Sequence, residues 1–116
     1  MIFDIDLREP RVMFLGRFQP LHDGHEKLIR TKLKNNKVMV QVRTMPKDEN
    51  NPYHYSEVWQ MFYERFKPEM DDGRLVVQQV PNIVKICHGR KVGWEVERIY
   101  LDEKTESISA TKIRNL

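Results

Sequence analysis

The run Arg11-Val12-Met13-Phe14-Leu15 is apolar and is cut off by Gly16, which predicts a short buried strand. Gly16-Arg17-Phe18-Gln19-Pro20-Leu21-His22-Asp23-Gly24-His25 follows, a loop shaped by two glycines and a proline. From His25 to Lys34, Leu28, Ile29 and Leu33 recur at helical spacing among Lys27, Arg30, Lys32 and Lys34, so the helix is amphipathic with a cationic outer face. Asn35-Asn36 ends it, and Val38, Val40 and Val42 alternate along Lys37 to Arg43 as one face of a second strand. Strand, loop, helix and strand of this length make a βαβ unit.

Further on, Thr44 to Pro52 is polar, with two prolines, and reads as an exposed loop. Val58, Trp59, Phe62, Tyr63 and Phe66 form a wide apolar stripe on a helix that starts near Tyr55 or Ser56 and is expected to stop before Pro68. After the turn Asp71-Asp72-Gly73, Arg74 to Val80 reads as a third strand. Periodicity does not decide Ile83 to Cys87. Glu97 to Leu101 is expected as a last strand, Asp102 to Ser107 as a polar loop, and Ile108 to Leu116 as a loop entering a short terminal helix. The alternation predicts one α/β domain over residues 1–116, with a mainly parallel, Rossmann-like sheet flanked by helices.

Composition narrows the class. The 116 residues are 40% hydrophobic and 32% charged, enough for one core under a solvated surface and too little for two. The absence of an apolar run of roughly 20 residues, and of a basic start followed by a long apolar stretch, predicts a cytoplasmic protein without membrane partners. A net charge of +3 suits a phosphate-bearing ligand but falls short of the basic stripe of a dedicated nucleic-acid binder. Cys87 is the single cysteine, which excludes an intrachain disulfide and a cysteine-rich zinc knuckle.

His22 and His25 sit where a strand gives way to a helix, the end of an open α/β sheet at which ligands bind. Free backbone N–H groups and the positive dipole end there attract a polyphosphate, and Gly24 lets the backbone approach. Two alternatives compete. Histidines three apart can share a zinc ion, although no third ligand is evident. They can also simply cap the helix and fill the loop. At the other end, Ile108-Ser109-Ala110-Thr111-Lys112-Ile113-Arg114 offers two hydroxyls, a lysine and an arginine, either as a helix cap with a basic tail or as donors to phosphate oxygens.

The first segment resembles the H-x-G-H loop of the nucleotidylyltransferase superfamily, and the second resembles its I-S-S-T-x-x-R signature, with Ala110 in place of the second serine. The resemblance covers roughly residues 10 to 116. It implies that an acceptor phosphate attacks the α-phosphate of a nucleoside triphosphate and releases pyrophosphate, with no covalent enzyme intermediate. By the same resemblance His22, His25 and Arg114 are catalytic. Gly16, Arg17, Phe18, Gly24, Ser109 and Thr111 bind nucleotide, and Mg²⁺ is held by the triphosphate with no direct protein ligand. A homo-oligomer is expected.

Gly-Arg-Phe-Gln-Pro-x-His is closer to nicotinamide-mononucleotide adenylyltransferases than to cytidylyltransferases, which favours ATP over CTP. Asn51-Pro52-Tyr53 followed by Ser56-Glu57 resembles the N-P-F-x-x-x-E-R stretch of archaeal adenylyltransferases, with Val58 in place of the arginine. Arg43 and Lys47, just after the second strand, and Gly89, Arg90 and Trp94 are candidates for the acceptor or the base, each against a plain reading as solvated loop or core. The other tryptophan, Trp59, is read the same way. Alternatives to an ATP-dependent adenylyltransferase are a cytidylyltransferase making a CDP-alcohol, a non-catalytic nucleotide sensor, and a nucleic-acid module using Lys27, Arg30, Lys32, Lys34 and Lys37.

Overall fold

The computed structural model describes residues 5–90, 93 and 95–115. Strand β1 (Val12–Gly16) leads through the histidine loop to helix α1 (Asp23–Leu33) and strand β2 (Val38–Arg43). Helix α2 (Tyr55–Asp71) and strand β3 (Leu75–Val80) repeat the crossover, and two short helices, α3 (Glu103–Glu106) and α4 (Ala110–Arg114), follow. The sheet order is β1-β2-β3, parallel throughout, with Val12 opposite Val38 and Val38 opposite Leu75.

The valine alternation decides which face is covered. Val38, Val40 and Val42 are buried with Leu75 against Ile29 and Leu33 of α1 and Val58, Phe62 and Phe66 of α2. Successive strand residues point to opposite faces, so this register puts one row of each strand under the helices. The two helices meet directly: Arg30 of α1 pairs with Glu69, and Arg65 of α2 pairs with Glu26. Arg11 donates to the carbonyl oxygens of Val38, Gly73 and Arg74, tying the base of β1 to its neighbour β2 and to the turn that enters β3.

Three expectations are corrected. The second helix does not stop before Pro68; it kinks at Phe66 (φ −125°, ψ 29°) and continues to Asp71. The kink relieves the clash and the missing N–H that proline imposes on a regular helix, while Glu69 and Met70 stay buried. Glu97 to Leu101 is not a strand, and the described residues between 81 and 101 have neither helix nor strand. A short apolar run is only half a strand, because the ladder needs a partner edge, and β1 among the described residues pairs with β2 alone. The expected polar loop after residue 101 contains α3, whose N-cap Asp102 accepts from the Thr105 N–H and hydroxyl and pairs with Lys27 of α1. No described helix is long and apolar enough to cross a membrane.

Candidate functional site at the histidine turn

Two histidines cap α1 reciprocally. His22 is the N-cap residue, and its Nδ1 accepts from the N–H groups of Gly24 (3.1 Å) and His25 (3.3 Å). His25 Nδ1 in turn accepts from the His22 N–H (3.3 Å), so imidazoles do the work usually done by Ser and Glu in a capping box. With both Nδ1 atoms accepting, the ring protons belong on Nε2. The turn therefore offers two Nε2–H donors, and in that tautomer neither Nε2 has a lone pair for a metal. The capping and ligand-donor readings of the histidines are thus compatible: one nitrogen of each ring serves each purpose.

The rings are stacked with centroids 3.7 Å apart, a geometry that two imidazolium ions would resist. Burial, the neighbouring His22 and the Arg65 guanidinium push His25 from its ordinary value near 6.5 down to about 3. His22 is also lowered, by burial and by Arg65, against the opposing charge of Asp23. An unfolded histidine takes up its proton near pH 6.5, whereas folded His25 does so only near 3, so the unfolded state binds more protons across that window. The stabilisation is complete above about pH 6.5 and is lost progressively as pH falls towards 3. Urea midpoints are expected to fall from pH 7 to pH 4, with a shallower slope for His25→Asn; parallel slopes would contradict the buried neutral ring.

Two glycines and a strained phenylalanine hold this arrangement. A β-carbon at Gly16 would lie 2.9 Å from the Phe18 ring, and one at Gly24 would lie 3.0 Å from His22 Cε1. Phe18 has φ +54°, an unfavourable left-handed conformation for a bulky residue. Its ring stands edge-on to His25 (centroids 4.9 Å) and to Phe62 (5.0 Å), and this burial offsets the strain.

The remaining expected residues divide. Arg17 donates to the side chain of buried Asn51 (3.3 Å). Arg114 donates to the Gln19 carbonyl, which brings the C-terminal motif onto the loop across 95 positions of sequence. Ser109 is half-buried before α4 and its carbonyl accepts from the Ile113 N–H; the side chain of Thr111 lies outside the described residues. Arg43 and Lys47 meet in one cavity of about 100 Å³ at the carboxyl ends of β2 and β3, with Gln19, Thr44, His54 and Tyr55 also in its wall. Arg43 donates to Asn82 (2.9 Å), and Lys47 Nζ lies 3.4 Å from His54 Nε2. Gly89 and Arg90 are exposed, and a β-carbon at Gly89 would meet no protein atom within 4 Å. Trp59 is half-buried at the rim of the core and stacked on Tyr63, whereas Trp94 lies outside the described residues.

Sequence reasoning missed Arg65, which reaches from α2 to Asp23 (2.7 Å) and Glu26 (3.0 Å) in the first turn of α1. It holds the Asp23 carboxyl below the usual range. No local signal marks it, since its partners are about forty residues away. Asn51 was legible only within the Asn-Pro-Tyr resemblance. Its place depends on Asp48, which accepts from the Asn50 and Asn51 N–H groups and from the Asn51 amide.

Among the described residues no three His, Cys, Asp or Glu side chains gather into a metal-binding group. The expectation of free backbone N–H groups at the start of α1 is corrected for Gly24, His25 and Glu26, which donate to the Nδ1 and carbonyl of His22; the donors left at the turn are the imidazole Nε2–H groups. Comparison of the chain with protein-family models, with curated proteins and with solved structures finds no match in any of the three.

Proposed function

We propose that the protein is a nucleotidylyltransferase that moves a nucleoside monophosphate from a triphosphate, ATP in preference to CTP, to a phosphate-bearing acceptor such as nicotinamide mononucleotide. The observation that carries this reading is the pair of uncharged Nε2–H donors at the α1 N-terminus, on the same loop that Arg114 reaches from the far end of the chain. An acceptor phosphate oxygen forms a bond to the α-phosphorus as the bridging bond to the β-phosphate breaks, and pyrophosphate departs with the electron pair. His22 and His25 donate to triphosphate oxygens where charge accumulates, and being neutral they do so without surrendering a proton. Ser109, Thr111 and Arg114 hold the β- and γ-phosphates. Mg²⁺ carried by the nucleotide would supply charge neutralisation at the pyrophosphate without a direct protein ligand, and the turn's imidazole N–H donors suit a polyphosphate better than a bare cation. Arg43 and Lys47 meet the acceptor phosphate.

The nucleic-acid reading is disfavoured by the pairing of four of the five cations on that face: Lys27 with Asp102, Arg30 with Glu26 and Glu69, Lys32 with Glu97, and Lys37 with Glu9. A CDP-alcohol product or nucleotide binding without turnover are the remaining alternatives. The deciding experiment is mass spectrometry of products after incubation with Mg²⁺, ATP or CTP, and a panel of nicotinamide mononucleotide, glycerol 3-phosphate, phosphocholine and phosphoethanolamine. A dinucleotide from ATP supports the adenylyl reading, a CDP-alcohol moves the base to cytosine, and no product with any pair counts against transfer. Arg114→Ala is expected chiefly to raise the nucleotide KM, because a phosphate clamp acts in ground and transition states alike; unchanged steady-state constants would remove Arg114 from the site.

A further inference from the structure

Gln19 is 5% exposed and joins three segments that are far apart in sequence. Its Oε1 accepts from the Tyr53 N–H (2.9 Å) and its Nε2 donates to the Tyr53 carbonyl (3.0 Å), the two bonds a neighbouring strand would make. Its own carbonyl accepts from Arg114. Three residues further on is His22, whose ring begins the histidine turn; next to Tyr53 is His54, which with Gln19 itself lines the cavity that Arg43 and Lys47 share. A buried amide satisfied at both ends is rigid, because moving it leaves polar groups on both sides unpaired. An amide carries no charge and is not a nucleophile, so its contribution is geometric.

We propose that Gln19 is a positioning residue that sets the Arg43–Lys47 cavity at a fixed distance and angle from the Nε2 face of His22 and His25. This inference deepens the transfer reading and rests on it: the cavity holds the acceptor, the histidine turn holds the triphosphate, and Gln19 keeps attacking oxygen and phosphorus aligned. Alignment is where a small displacement is most costly, since a misplacement of about 1 Å can remove on the order of 10²-fold in rate.

The test uses Gln19→Leu, which keeps the bulk and removes both side-chain bonds, with Gln19→Glu as the second variant should Leu not fold. Turnover is expected to fall on the order of 100-fold, while the Kd of Mg·ATP measured without acceptor stays within about threefold; the melting temperature falls in any case, because the Tyr53 N–H and carbonyl lose their partners. A role that was merely structural would weaken nucleotide binding along with turnover. Turnover within about threefold of the unsubstituted protein, or equal losses in turnover and nucleotide affinity, would overturn the proposal. Amide hydrogen exchange gives a readout that needs no substrate: exchange across residues 47–54 is expected to accelerate at least about tenfold in Gln19→Leu, with the α1 amides unchanged. Unchanged exchange in 47–54 refutes the clamp even if the unsubstituted protein makes no product, so a failed clamp and a failed transfer reading are told apart.

Discussion

His25→Ala is expected to lower turnover on the order of 10²- to 10³-fold, the range found when one preorganised donor to developing charge is removed. The size follows from what the ring does in the turn. Its Nδ1 is committed to the His22 N–H, so its Nε2–H is aimed and needs no reorganisation when charge appears. Stability suffers less. Losing one cap hydrogen bond costs about 1 kcal/mol. The measurement pairs turnover with urea denaturation at pH 7. Near-normal turnover in a folded variant would sink the assigned role; a lost urea transition would show that the ring is needed first for folding.

Phe62→Ala is expected to destabilise the domain by about 3–5 kcal/mol, a large part of the roughly 5–15 kcal/mol of a typical domain. Phe62 is fully buried, with its ring against Phe18 on one side and Phe66 on the other, 6.1 Å between the latter centroids. The cavity left behind has consequences at the turn. Phe18 holds its left-handed conformation while wedged between Phe62 and His25, and without Phe62 that conformation has less to offset it. Phe62→Leu, closer in volume, is expected to cost much less than the alanine. Urea midpoints and m-values for the pair check this, and equal midpoints for both variants would show that the cavity is not the cause.

Much of the fold is legible along the chain because its signals are local. The glycine stop at Gly16, the spacing of Leu28, Ile29 and Leu33, and the alternation of Val38, Val40 and Val42 each report burial within a few residues of themselves. The structure accordingly has β1, α1, β2, α2 and β3 close to where these patterns fall. The same locality misleads at residues 97–101, where a short apolar run is present without a ladder, and at Pro68, where a kink at Phe66 lets the helix pass. Both outcomes depend on groups outside the window that carries the signal.

The candidate site divides along the same line. His22, Gly24, His25 and Arg114 could be singled out from residue types and spacing, since a capped helix start and a hydroxyl-rich basic tail are local patterns. That the two motifs meet, that the histidines accept through Nδ1 and so donate through Nε2, and that Arg65 stands over the first turn of α1 are matters of tertiary structure. So is the clasp between Gln19 and Tyr53, which lie 34 residues apart. A βαβ chain with a shaped, histidine-bearing turn follows from local pattern, because backbone propensity and hydrophobic period act over one or two turns of chain. Only the folded structure decided which side chains share a proton, a charge or a wall, because those choices depend on distances between segments that no local pattern encodes.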